Sequence, residues 1–271
     1  MSSELEQSAL GKYEKLKELI LEKGRMAVAF SAGVDSTFLL ASAKKILGDD
    51  VIGITMQITS VPEKELVNSK LFCQKAGITQ IVVPVDLFSI EGFAQNPKDR
   101  CYVCKKAIFT RLLDVARLNG MECVAEGSNA DDINDYRPGM RALSELGIFS
   151  PLLEAGLTKE EIRYLSREME LPTWDKPSQA CLASRIPYGE QITEEKLRIV
   201  ERSEQLIRDL GFENVRVRMH GDMARIEIDK ADFERMLIEG IRERISDTLR
   251  EFGFSYVTLD LNGYRTGSMN I

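Results

Sequence analysis

The 271-residue sequence predicts an α/β protein, a parallel sheet with helices on both faces, followed by a smaller α+β C-terminal domain. Two observations carry this. Over roughly the first two thirds, short apolar runs alternate with stretches of helical periodicity, and strands that alternate with helices pair in parallel with both faces covered. Beyond residue 193, short segments alternate strictly between apolar and polar residues, as in a sheet with one covered face. Hydrophobic residues make up 44% and charged residues 29%, the proportions of a globular chain. The expected organisation is an α/β domain over 1–175, a loop or linker over 176–192, and the α+β domain over 193–271.

Each element follows from local signals. Leu5, Tyr13, Leu16 and Ile20 stand at near-helical spacing, so 4–23 reads as a helix. Residues 26–30 are a short apolar strand. Residues 36–47 read as a helix ended by Gly48, and 51–56 as the next strand. Ser60-Val61-Pro62-Glu63 is a capping box opening a helix that runs to Gly77. A third strand (80–85), a helix over 101–118 closed by Gly120, and a fourth strand (122–126) follow. Thr158-Lys159-Glu160-Glu161 is a second capping box, and its helix stops before Pro172. Pro172, Pro177, Pro187 and Gly189 mark a loop. Thr193 caps a helix with Glu194 and Glu195 in its first turn, and Gly211 ends it. Strands 215–218 and 224–228, one helix over 231–252 and a strand over 256–261 complete the chain.

Composition excludes several classes. Lys plus Arg number 36 and Asp plus Glu 43, a net charge of −7, so no nucleic-acid partner is expected. No apolar run approaches the ~18 residues of a membrane span. The first twenty residues lack the basic start and apolar centre of a signal peptide, which makes a cytoplasmic protein the expectation. Five cysteines, an odd number, fit a reducing compartment. One histidine, His220, argues against sites built on several imidazoles.

Chemistry enters at Ser31-Ala32-Gly33-Val34-Asp35-Ser36. An apolar strand runs into a Ser/Gly turn that opens a helix, so backbone N–H groups and the helix dipole converge on one spot, a ready anion site. Ser31 and Ser36 offer hydroxyls to phosphate oxygens, and Asp35 suits Mg²⁺. The plain alternative is a strand–helix turn of small residues. The pattern Ser-x-Gly-x-Asp-Ser resembles the PP-loop of ATP pyrophosphatases, with an adenine nucleotide α-hydrolase-like fold. Members cleave ATP to AMP and pyrophosphate, usually by adenylylating a substrate. Most of them carry Gly where Ala32 stands. The run Glu126-Gly127-Ser128-Asn129-Ala130-Asp131-Asp132 resembles the second nucleotide motif of that superfamily, which brings in Gly127 and Asp132.

Arg100-Cys101-Tyr102-Val103-Cys104-Lys105-Lys106 opens a helix, and Cys101 and Cys104 share one face of its first turn. The helix N-terminus and the neighbouring Arg100, Lys105 and Lys106 favour thiolates. Cys181 lies in a polar, Pro-bounded loop. Cys73 and Cys123 sit in apolar periodic elements and read as buried small hydrophobes. The C-x-x-C pair alone is compatible with a redox pair, half a zinc site, part of an iron–sulfur site or unrelated thiols.

Segments 180–189, 134–139, 215–218 and 258–270 look like the LarE family, and the resemblance covers about residues 10–270. Members insert sulfur during biosynthesis of the nickel-pincer nucleotide cofactor: they adenylylate a carboxylate of a pyridinium dicarboxylate mononucleotide and convert it to a thiocarboxylate. The resemblance implies one of two sulfur sources. Either the cysteine matching Cys181 gives up its own sulfur and becomes dehydroalanine, or Cys101, Cys104 and Cys181 hold a 4Fe–4S cluster whose open iron carries a sulfide from a donor. The three thiols match the cluster subtype. ATP with Mg²⁺ at Asp35, and Asp132 nearby, would balance pyrophosphate charge. Lys105 and Lys176 fit phosphate or carboxylate contacts. Arg216 and Arg218, two apart on a strand, share a face that suits a nucleotide phosphate. By resemblance Ser184 and Arg185 assist them, and a homo-oligomer built of trimers, a hexamer among the options, is expected. The competing readings are a tRNA-thiolating relative and a sulfur-free nucleotide-dependent ligase or regulator.

Overall fold

Strand β1 (Met26–Ala29) lies at the heart of a four-stranded parallel sheet. Strands β2 (Val51–Ile58) and β3 (Thr79–Val85) stack outward on one side of it, and β4 (Cys123–Ala125) on the other, in the order β3-β2-β1-β4. The structure, a computed structural model, describes residues 3–58, 63–134, 138–177, 181–265 and 268–269. Ser60, Val61 and Pro62 of the expected capping box lie outside the described residues, as do 135–137, 178–180, 266–267 and 270–271 of the segments quoted above.

Alternation along β1 divides the core. Met26 and Val28 face a cluster with Leu16, Ile20, Phe38 and Leu39, from α1 (Ser3–Lys23) and α2 (Val34–Leu47). Ala27 and Ala29 face the opposite cluster with Phe109 and Leu112 of α4 (Arg100–Leu118). The helix before α4 is α3 (Glu63–Ala76). Between β4 and residue 177 the described residues form α5 (Pro138–Glu145), α6 (Pro151–Ala155) and α7 (Lys159–Glu168). The first two are too short to leave a periodic signature. Thr158 caps α7 and forms a capping box with Glu161, as its sequence predicts.

The chain divides into two compact units, Met1–Ile90 with Asp99–Gln179, and Glu91–Lys98 with Ala180–Ile271. In the second, α8 (Glu194–Asp209) begins at Thr193, whose hydroxyl accepts from Lys196 N–H at 3.1 Å. Strands β5 (Arg216–His220) and β6 (Met223–Glu227) are antiparallel, and β7 (Tyr256–Leu259) pairs in parallel with β6. Val217, Met219, Ala224 and Ile226 are buried, and α8 packs on β5. The single helix expected over 231–252 is two, α9 (Phe233–Met236) and α10 (Ile241–Glu251). Gly240 at φ +89° breaks it, a conformation that glycine alone adopts readily. The early segment of this unit is held by Asn96, fully buried, whose Nδ2 donates to the carbonyls of Ile186, Pro187 and Glu190 at 3.2, 2.7 and 3.0 Å. Among the described residues no helix is long and apolar enough to cross a membrane.

Candidate functional site

Chain order reverses at β1: the path moves outward through β2 and β3, then returns to place β4 on β1's other side. In open parallel sheets, ligands bind outside the carboxyl ends of the strands at such a point. The loops leaving β1 and β4 are 30–33 and 126–132, the two segments singled out by sequence.

The first loop runs Ser31-Ala32-Gly33 into α2. Gly33 is the N-cap and has no side chain to cap the first turn. The N-terminal N–H groups of α2 and its dipole therefore face the loop without a capping oxygen from that residue. Ser31 Oγ and Ser36 Oγ stand 3.0 Å apart, and Ser36 Oγ accepts from Ser31 N–H at 3.3 Å. Ala32 adopts φ +56°, the left-handed region, while its methyl is buried. Lys176 reaches the same turn: its ammonium donates to the Ala32 carbonyl at 2.8 Å and pairs with Glu65.

The second loop closes over the start of α2. A Cβ on Gly127 would stand 3.1 Å from Ser36 N and 3.2 Å from Asp35 Cβ, so glycine is what allows the approach. Asn129 Nδ2 donates to Asp35 Oδ1 at 3.2 Å. Asn129 N–H donates to Asp132 Oδ2 at 3.0 Å, so the Asp132 carboxylate braces the loop backbone. Asp131 N–H donates to Asn129 Oδ1 at 3.0 Å, and Lys159 N–H donates to Asp131 Oδ2 at 2.8 Å. Lys159 Nζ returns to Asp35 as an ion pair. Glu126 is buried and accepts hydroxyls from Ser128 at 2.9 Å and Ser150 at 2.6 Å. The sequence pattern gives Lys159, Asn129 and Glu126 no individual role: Lys159 stands in it only as a helix-start residue, and nothing local ties it to Asp35, 124 positions away.

Cys101 and Cys104 lie half-buried in the first turn of α4, as the helical spacing requires. The stem of Lys105 crosses Gly139, where a Cβ would come within 2.6 Å of its Cδ. Lys106 is committed elsewhere, to Tyr102 Oη at 2.8 Å and Glu145 at 2.9 Å. Cys181 is exposed and belongs to the other unit. No disulfide joins any cysteine. Burial pushes the Cys73 thiol up to about 11 and raises Cys123 as well, so both are poor thiolates. The donor chemistry of Cys101, Cys104 and Cys181 fits an iron–sulfur site, yet among the described residues no three His, Cys, Asp or Glu side chains stand together as a metal group. Asp35 supplies the hard oxygens that Mg²⁺ takes.

The second unit holds an arginine face. Arg216 and Arg218 are 7% and 5% exposed, so this face is not simply the sheet's wet side. Register sets Arg216 opposite Glu227 and Arg218 opposite Arg225. Arg218 donates to Glu227 Oε2 at 2.9 and 3.1 Å, to the Ser184 carbonyl at 3.2 Å and to Ser268 Oγ at 3.1 Å. Arg216 lies over the Tyr264 ring at 5.0 Å. Its pKa is lowered, by burial first and by Arg185 next, despite Glu204. Arg185 is itself buried, in a bidentate pair with Glu204 at 2.7 and 3.1 Å, and it also donates to Ser184 Oγ at 2.9 Å and the Cys181 carbonyl at 3.3 Å. It thus shapes the turn carrying Cys181 and Ser184, while Arg216 and Arg218 supply the concentrated cationic charge.

No family model matches the chain. It is 40% identical to an uncharacterised protein of Synechocystis over 259 residues, covering 96% of this chain and 97% of that one. It is 38% identical over 247 residues to the pyridinium-3,5-bisthiocarboxylic acid mononucleotide synthase of Lactiplantibacillus plantarum, covering 91% and 89% of the two chains. A tRNA-specific 2-thiouridylase of Zymomonas mobilis is 32% identical over 164 residues, with 52% of this chain and 44% of the relative covered.

Proposed function

This chain belongs to the LarE family of PP-loop enzymes and is an ATP-dependent sulfurtransferase, and from that premise we propose that it acts on a pyridinium-3,5-dicarboxylate mononucleotide. The observation that carries the reading is the 38% identity, over 91% of this chain, to the pyridinium-3,5-bisthiocarboxylic acid mononucleotide synthase; the convergence of loops 30–33 and 126–132 over an α2 N-terminus that no N-cap side chain closes supports the use of ATP.

In this reading a substrate carboxylate oxygen attacks the α-phosphorus of ATP. The bond from that phosphorus to the bridging oxygen breaks, and pyrophosphate leaves. The N–H groups at the start of α2, with the Ser31 and Ser36 hydroxyls and Lys176, hold phosphate oxygens, and Lys105 adds a further cation. Mg²⁺, which Asp35 and Asp132 would hold, would offset phosphate charge. Arg216 and Arg218 bind the substrate's own phosphate, and Arg185 and Ser184 set the turn beside them. A sulfur nucleophile then attacks the acyl carbon, AMP departs, and a thiocarboxylate remains. Thiolate or sulfide needs no general base near neutral pH, which suits a chain with one histidine. Cys101, Cys104 and Cys181 would hold a 4Fe–4S cluster, which when bound supplies a transferable sulfide. The reading includes a cytoplasmic, trimer-based homo-oligomer, which light scattering tests.

The test is anaerobic incubation with Mg·ATP, sulfide and the dicarboxylate mononucleotide. AMP, pyrophosphate and thiocarboxylate in equal amounts are expected. ATP turnover without a sulfur-bearing product would overturn the substrate assignment. Sulfur found instead in added tRNA would move the function to thiouridine synthesis.

A further inference from the structure

Lys159 completes a closed circuit of hydrogen bonds through three separate segments. Asp35 Oδ1 accepts from Asn129, Asn129 Oδ1 from Asp131 N–H, Asp131 Oδ2 from Lys159 N–H, and Lys159 Nζ returns to Asp35 Oδ2. The backbone of Lys159 is fixed. It opens α7, and the Thr158–Glu161 capping box holds that turn. Glu161 in turn accepts from Lys12 Nζ at 2.7 Å and Ser8 Oγ at 2.6 Å, which ties α7 to α1. The side chain is less confined: Lys159 is 28% and Asp35 22% exposed. An ion pair this open adds little to stability. Its place matters more, because Asp35 immediately precedes Ser36 at the phosphate turn.

We infer that Lys159 is a nucleotide-binding residue whose ammonium leaves Asp35 for the β- and γ-phosphates of ATP. The inference rests on reading 31–36 as the nucleotide phosphate site. Entering phosphates bring several negative charges beside a flexible four-carbon stem with three donors. A divalent cation bound with them would be held by the Asp35 carboxylate. Lys159 then trades one anionic partner for another, while Asp131 keeps its backbone in register.

Lys159→Met keeps the stem and removes the charge, and Lys159→Gln replaces it if the Met variant folds poorly. Calorimetric titration with ATP, ADP and AMP, each with Mg²⁺, gives the readout. Loss of a charge-assisted phosphate contact weakens ATP about 10- to 100-fold and leaves AMP nearly unchanged. Lys159→Arg keeps most of the ATP affinity. Unchanged or tighter ATP binding in Lys159→Met, or equal losses for ATP and AMP, overturns the assignment. Ser36→Ala separates the two levels. If it weakens ATP while Lys159→Met does not, the phosphate turn stands and Lys159 falls. If neither matters, or the unaltered protein binds no ATP, both readings fall.

Discussion

Ala32 holds a methyl group where the backbone favours glycine. At φ +56° an L-residue carries a strain of about 1 kcal/mol. Its buried methyl returns about 0.8 kcal/mol. Ala32→Gly therefore exchanges one term for the other, and thermal unfolding should move by no more than about 3 °C. Ala32→Val should unfold markedly earlier, because a β-branched residue fits neither the dihedral nor the packed turn. Glu204 is the sharper case. Burial pushes its carboxyl up, but Arg185, with Arg208 and Arg216, outweighs that and holds it below its ordinary 4.5. A depressed folded-state pKa contributes stability that is present above the unfolded value and lost as pH falls through the folded one. Glu204→Ala should cost about 3–5 kcal/mol near pH 7, since Arg185 is left buried without its partner. In urea titrations from pH 7 down to pH 3 the gap between variant and parent should narrow; a gap independent of pH would show that Glu204 acts by packing alone. Arg185 itself was legible in sequence only as an arginine beside Ser184. Its partner lies 19 positions on in another element, and no local pattern announces such a pairing.

At the scale of elements, the two loops proposed to hold the nucleotide depend on one close approach. Gly127 leaves room for Ser36 N–H because it has no Cβ, and the atoms in the way are backbone and Asp35 Cβ rather than a side-chain end that could swing aside. Gly127→Ala should push loop 126–132 off α2, costing about 1–3 kcal/mol of stability. It should also weaken ATP by at least about tenfold, the worth of a phosphate hydrogen bond. Equilibrium binding with a melting curve on the same sample checks both, and full affinity in Gly127→Ala would mean the approach is only packing. The elements bearing these loops were legible because their signals are local. Apolar runs mark β1 and β2, Gly48 ends α2, and Thr158 and Thr193 cap their helices. Elements lacking such signals were not: α5 and α6 are shorter than a reliable period, and the break at Gly240 interrupts a pattern that polar and apolar spacing carries straight through. Glu91–Lys98 joins the second unit through contacts distant in sequence, centred on Asn96. Neighbouring residues cannot reveal that.

At the scale of the whole molecule the open quantity is the origin of the sulfur, and the cysteines divide the answer cleanly. Cys101 and Cys104 belong to the first unit and Cys181 to the second. A cluster needs thiolates from both. A sacrificial donor needs Cys181 alone, which is exposed. The two chemistries differ in stoichiometry. If Cys181 gives its own sulfur, its Sγ bonds to the acyl carbon, AMP leaves, and elimination breaks the Cβ–S bond to leave dehydroalanine. Product then stops at one sulfur per chain, whatever sulfide is added. If a cluster delivers sulfide, anaerobic reconstitution should load about four iron and four sulfide per chain, and product should exceed one sulfur per chain while sulfide lasts. Cys101→Ala, Cys104→Ala and Cys181→Ala should each abolish iron binding. Cys73→Ala should leave it intact, because burial keeps that thiol protonated. We expect the cluster pattern, since a sacrificial enzyme gives Cys101 and Cys104 no task. Full iron loading in Cys101→Ala would overturn the three-cysteine ligand set, whereas no iron in any reconstitution, with dehydroalanine at position 181 after one turnover, would assign the sulfur to Cys181 itself.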